Sequence, residues 1–211
     1  MVASYIKDPA AIYAQSFERV RAATDLSRFP DDVAEMVIRV VHACGMPDLA
    51  PDLAFTPDVA AKAQSALAAG KPILADCAMV ASGITSRFLP KDNRIIMTLY
   101  DDAVPARAED LGTTRSAAAV EDWHDHIDGA VVVIGNAPTA LFHLMEKIDQ
   151  GWPKPAAVLG FPVGFVGAAE SKAELAGRPD LDFLTVHGTR GGSAMASAAV
   201  NAAALLAGRA A

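Results

Sequence analysis

His42 is the residue best placed to move a proton. The pattern predicts a helix over 31–44, with Asp31 and Asp32 in its first turn and Gly45 and Pro47 to stop it. Along it Val33, Met36, Val37, Val40, Val41 and Cys44 recur at helical spacing and form a core stripe. At about 100° per residue, His42 falls nearly opposite that stripe, beside Glu35, Ile38 and Arg39. A satisfied core histidine is disfavoured there. Two readings stay open: a solvated surface histidine, or a proton donor in the last helical turn, where the helix dipole favours imidazolium. Arg39 on the same face would set a carboxylate clamp beside the donor.

Ser16 is the converse case. It lies inside an apolar stripe of Ile12, Tyr13, Phe17, Val20 and Ala23. Its hydroxyl either bonds back to the preceding turn or touches a polar atom of a large apolar ligand covering the stripe. Thr113-Thr114-Arg115-Ser116 opens a helix. Arg115 in the first turn opposes the dipole slightly, so it is either solvated or shares an anion with the helix N-terminus. Gly188-Thr189-Arg190-Gly191-Gly192-Ser193 follows a strand and opens another helix, where free amides could hold an anion. The loop lacks the Gly-Lys-Ser/Thr ending of a Walker A sequence. Gly160, Gly164 and Gly167 have the wrong spacing for a dinucleotide fingerprint. His124 and His126 point to different helix faces and make a poor metal pair. No Gly-x-Ser-x-Gly elbow supports a serine hydrolase.

The elements that must position these residues follow from periodicity. Asp8-Pro9 and Thr56-Pro57 are cap-plus-proline signals for helices to about residues 23 and 70. Five apolar runs then appear: Ile73–Cys77, Ile95–Leu99, Ala130–Ile134, Ala156–Leu159 and Phe183–Val186. Several are continuous, as strands buried on both faces are. Helices are expected between and after them, over about 113–127, 138–149, 168–176 and 192–207. The expectation is one α/β domain over residues 1–211, with a helical N-terminal region. Its mainly parallel sheet of about five strands should be covered on both faces. Glycine and small polar residues collect beyond the strand ends, where open α/β sheets bind ligands.

Composition narrows the partners. Of 211 residues, 18 are Lys or Arg and 25 Asp or Glu, giving a net charge of −7. That disfavours nucleic acid, whose phosphates need a basic field. An acidic small molecule would need local arginines, with Arg39, Arg115 and either Arg87 or Arg190 available. No stretch reaches the roughly 20 apolar residues of a membrane span. The N-terminus has no secretory pattern. Cys44 and Cys77 show no metal-ligand spacing; of the two readings left, a single disulfide or two reduced thiols of a cytoplasmic protein, the second is favoured.

Taken together and in order, several segments resemble the precorrin-8X methylmutase family of corrinoid biosynthesis. They are Asp8-Pro9-Ala10-Ala11-Ile12-Tyr13 with Ser16-Phe17, His42-Ala43-Cys44-Gly45, and Pro72-Ile73-Leu74-Ala75-Asp76 with Met79-Val80 and Gly83-Ile84-Thr85. Thr114-Arg115-Ser116-Ala117-Ala118, Gly135-Asn136-Ala137-Pro138-Thr139-Ala140, Pro162 through Lys172, and Gly191-Gly192-Ser193 continue the match. Each piece is weak alone and the set is specific. The resemblance implies a 1,5-shift of a methyl group from C-11 to C-12 of a tetrapyrrole, giving hydrogenobyrinate, with no cofactor and no metal. It implies His42 as proton donor. The substrate-binding residues it suggests are Ser16, Thr85 and Arg115; Arg39, Arg190 and Gly191 complete the expected set, from the need for local cations and from the anion-binding loop. It also implies a homodimer with sites near the interface and a product handed to the next enzyme. Ala78, Ser86 and Gly188-Thr189-Arg190 depart from the family pattern, which touches individual carboxylate contacts. Two rival functions remain: a non-catalytic tetrapyrrole carrier on the same fold, which turnover would separate, and a phosphate-ester enzyme, which lacks a lysine in the Gly188–Ser193 loop.

Overall fold

The computed structural model of the chain describes residues 5–209. Helix α1 (Pro9–Ala23) opens on Asp8, whose carboxylate accepts the Ala10 amide at 3.1 Å. Helix α2 (Asp31–Cys44) stops at Gly45, which takes a φ of 69° and donates its amide to Val41 O at 2.7 Å. A 3-10 turn (Pro47–Asp52) leads into β1 (Leu53–Phe55), a strand too short to show any alternation in the sequence. Helix α3 (Val59–Ala68) starts later than Thr56-Pro57 suggests, because the Thr56 hydroxyl accepts the Phe183 amide at 3.0 Å instead of capping. There follow β2 (Ile73–Ala75), α4 (Ala78–Gly83), β3 (Ile95–Ile96), α5 (Val104–Asp110), α6 (Arg115–Val120) and β4 (Val131–Ile134). The chain continues through α7 (Pro138–Asp149), β5 (Ala157–Gly160), α8 (Ala168–Ala176), β6 (Phe183–Val186) and α9 (Ser193–Arg209). The helix expected over 113–127 is shorter: after α6 a 3-10 turn, Glu121–Trp123, buries the Trp123 indole beside α7.

The sheet order is β1-β6-β5-β4-β2-β3. Every neighbouring pair is parallel except β1 with β6, so a short antiparallel edge strand extends the five expected strands to six. The continuous apolar runs have a direct cause. Side chains alternate across a strand, and both faces are covered. Val131, Val133 and Leu159 face a layer holding α2, α3 and α9, whereas Val132, Ile134 and Val158 face α7 and α8.

Helix α1 lies outside this sandwich, against α2, and contains no buried residue. Its apolar stripe is therefore not core: Ile12 and Tyr13 are exposed, and Phe17 and Val20 are half-buried. Ile38 corrects the wheel in the opposite sense. It sits on the His42 side of α2 yet is fully buried, because α2 is packed from more than one direction. Both cysteines are free, and among the described residues no helix is long and apolar enough to cross a membrane.

Candidate active site

His42 is exposed near the C-terminal end of α2, and two α1 side chains hold it. Its Nδ1 lies 3.1 Å from Ser16 Oγ. The Phe17 ring stacks on the imidazole, with centroids 4.6 Å apart and planes 26° from parallel. Ser16 thus bonds across to a second helix rather than back along its own, although 26 residues separate it from His42. When the hydroxyl donates to Nδ1, the neutral ring carries its proton on Nε2, which has no protein partner among the described residues; when Nδ1 carries a proton, the hydroxyl accepts it.

Two concavities meet at this histidine. An open groove of about 660 Å³ is walled by Ile12, Ser16, Val20, Ala23, Val41 and His42 among others. A second, of about 300 Å³, is bounded by Arg39, His42, Thr85, Phe88, Ser197 and Asn201. Thr85 is fixed there through its backbone: its amide donates to Asn201 Oδ1 at 2.8 Å, and Asn201 Nδ2 donates to Gly83 O at 2.9 Å. Asn201 was not singled out from sequence. Its signal was a lone amide in the alanine-rich α9, where a buried polar group must find partners.

Arg39 has no carboxylate within ion-pair distance among the described residues. Its guanidinium donates to Tyr13 Oη and lies 5.1 Å from the Phe17 ring centre and 5.7 Å from that of Phe88. Aromatic faces hold the cation without neutralising it. Arg19, one turn beyond Ser16, lines the groove and likewise has no acidic partner among the described residues. Sequence reasoning missed it, though its spacing of three from Ser16 puts both on one helix face.

Arg115, Arg190 and Gly191 do not line either concavity. Arg115 is exposed at the start of α6, where Thr114 caps the Ala117 amide and touches Thr139 Oγ1 at 2.8 Å. Arg190 is already committed. It pairs with Asp48 at 2.8 Å and also with Asp52, in the turn that follows α2. Gly191 is packed tightly: a Cβ built on it would lie 2.5 Å from Phe161 O. Its glycine therefore has a backbone cause independent of any ligand. Arg87 stays exposed beside Phe88.

Two buried charges shape the loops beyond the strand ends. Asp76, after β2, accepts the amides of Gly135, Asn136 and Ala137 at 2.9–3.0 Å and so ties down the loop before α7. Burial raises its carboxyl above the ordinary value against the pull of those three bonds. Lys172 of α8 is wholly buried and donates to Arg190 O, with no carboxylate in ion-pair distance among the described residues. Burial lowers its ammonium to about 8. An unfolded lysine titrates near 10.4, so between these values the unfolded chain holds the extra proton and stability rises with pH. Below about pH 8 the burial costs on the order of 3 kcal/mol. Lys172→Met should therefore be more stable than the parent at neutral pH, by about 1–3 kcal/mol after loss of the carbonyl bond. The gap should close as pH rises toward 10.4. Urea unfolding of both proteins at neutral and alkaline pH measures it; a gap independent of pH would show that the ammonium is not desolvated. Cys44 and Cys77 are pushed up by burial, which keeps them protonated and unreactive.

A doubly covered parallel sheet, with an exposed histidine between a largely apolar groove and arginines that have no ion-pair partner among the described residues, has the layout of an α/β enzyme. Comparison with known proteins gives the family. The family model for precorrin-8X methylmutase matches residues 11–206. The precorrin-8X methylmutase of Pseudomonas aeruginosa is 56% identical over 94% of this chain and 96% of its own. That of a Sinorhizobium species is 52% identical over 93% and 94%. A crystal structure of the precorrin-8X methylmutase of Thermus thermophilus superposes with a TM-score of 0.87 at 35% identity, covering 95% of this chain and 97% of that one. The chain belongs to the precorrin-8X methylmutase family and is an isomerase.

Proposed function

We propose that the protein moves the methyl group of precorrin-8X from C-11 to C-12, giving hydrogenobyrinate, with His42 as the proton donor. The observation that carries this reading is the Ser16–His42 pair at the meeting of the two concavities, with Nε2 left free. The macrocycle lies along the apolar groove wall, and His42 as imidazolium gives its Nε2 proton to the ring region where the methyl migrates; the neutral ring left behind keeps its Nδ1 proton toward Ser16 Oγ, and Nε2 takes a proton back from the rearranged macrocycle, so that none is gained or lost overall. Arg19 and Arg39, with no ion-pair partner among the described residues, take peripheral carboxylates on either side, and Arg115 offers a third cation at α6. Arg190 would have to release Asp48 and Asp52 to do the same. The metal-free substrate is favoured because the relatives at 56% and 52% identity are named for precorrin-8X, whereas cobalt-precorrin-8 methylmutases of Priestia megaterium and Salmonella typhimurium match at 37% and 36%. A cytoplasmic homodimer that hands product to the next enzyme completes the reading. Tyr13, exposed on α1 outside the groove, is apolar surface for a second copy to cover. Sedimentation showing a fully active monomer would remove the dimer.

The direct test is the colour change on mixing purified protein with precorrin-8X. A protein that binds the pigment without converting it is a carrier. Arg39→Ala should weaken binding by about 1.5–3 kcal/mol, roughly ten- to hundredfold in Kd. The parent's affinity should fall as salt rises, because exposed charges are screened over about 10 Å at 0.1 M. An unchanged Kd in the variant takes Arg39 out of the site.

A further inference from the structure

Phe17 touches both of the groups on which the proposed chemistry depends. Its ring stacks on His42 on one side, and the Arg39 guanidinium lies 5.1 Å from its centre. The Tyr13 ring braces it, with centroids 4.4 Å apart. Core burial does not explain this aromatic: Phe17 is half-buried, on a helix with no buried residue. A single bond from Ser16 to Nδ1 leaves the imidazole free to swing about that contact and so to lose it. A stacked face holds the ring plane, which keeps Nδ1 within reach of Ser16, and that bond in turn fixes which nitrogen points outward.

We infer that Phe17 is a positioning residue, which locks the ring plane of His42 so that Nδ1 stays on Ser16 and Nε2 stays turned to the substrate. The inference rests on the reading of His42 as proton donor only for its effect on turnover. The ring-locking itself can be measured without substrate. With the stack gone, the ring samples both tautomers and several planes, and only a fraction of the molecules present Nε2 correctly.

The test is nitrogen-15 NMR of the imidazole, at a pH about two units above the ordinary histidine value so that a free ring is neutral. The His42 signals are identified by their loss in His42→Ala. The parent should show one tautomer, with the proton on Nε2. Phe17→Leu should show averaged shifts of a tautomer mixture, and Phe17→Tyr, which keeps the stack, should look like the parent. In turnover, Phe17→Leu should lose roughly ten- to hundredfold in kcat, the range expected when a reacting group is misplaced, with KM little changed. Should Phe17→Leu fail to fold, Phe17→Met replaces it as the variant without a stack. A single Nε2–H tautomer in the folded variant overturns the inference whatever happens to turnover. An averaged spectrum with parental turnover instead overturns the proton-donor reading and leaves the positioning intact.

Discussion

His42→Ala is expected to fold and bind pigment like the parent while turning it over at least about a hundredfold more slowly, the lower end of what a positioned acid contributes. The imidazole is exposed and touches Ser16 and Phe17, so its removal opens no cavity in the core. Most of the binding surface stays in place, because the groove wall and both flanking arginines come from other positions. His42→Asn should fail to a similar degree. An amide can keep a hydrogen bond to Ser16 but has no acidic proton to give. Single-turnover absorbance with saturating protein separates chemistry from binding. Near-parental chemistry in His42→Ala would show that another group supplies the proton. Loss of folding would make the histidine structural, and loss of pigment binding would make it a substrate contact first.

Gly191→Ala should be the most damaging of the small changes in the loops. The new Cβ would lie 2.5 Å from Phe161 O and 2.6 Å from Pro162 O. Both are backbone atoms, and Phe161 O is already held by the Gly192 amide at 2.8 Å, so no flexible side chain can yield. The segment between β6 and α9 must shift, at about 1–3 kcal/mol for an overpacked site. That lowers Tm by roughly 2–12 °C for a chain of this size. It also pulls Arg190 from Asp48 and Asp52 and disturbs the turn after His42. Gly188→Ala is the comparison. It has a φ of +79° with nothing within 4 Å, so it carries only backbone strain, about 1 kcal/mol. Calorimetry on the two variants checks the order; equal Tm values would mean that the loop absorbs the clash.

Local pattern was enough for much of the scaffold. The Asp8-Pro9 start of α1, the Gly45 stop of α2 and the buried run Val131–Ile134 are each written into a few neighbouring residues, because caps, left-handed glycines and doubly covered strands depend on nearby chemistry. The exposure of His42 was legible for the same reason, since helical spacing alone turns it from the stripe that packs on α9. Elements without a long pattern were not legible: β1 has three residues, and α4 and α5 have six and seven.

The sequence by itself determined a mainly parallel α/β fold and a histidine held out of its core; the tertiary structure decided what surrounds that histidine. Ser16 meets His42 across 26 residues, and Arg190 meets Asp48 across 142. The first contact sets a hydroxyl on a candidate proton donor, and the second pairs an arginine expected to bind substrate with carboxylates of the chain itself. That Gly191 packs its Cα against two backbone carbonyls is likewise visible only in the folded chain. Nothing in the Glu170-Ser171-Lys172 run signals that its lysine is buried with no counter-charge among the described residues. Hydrophobic periodicity reports only whether a side chain faces the core. Which polar groups meet is set by how the helices pack, and that depends on the whole core at once.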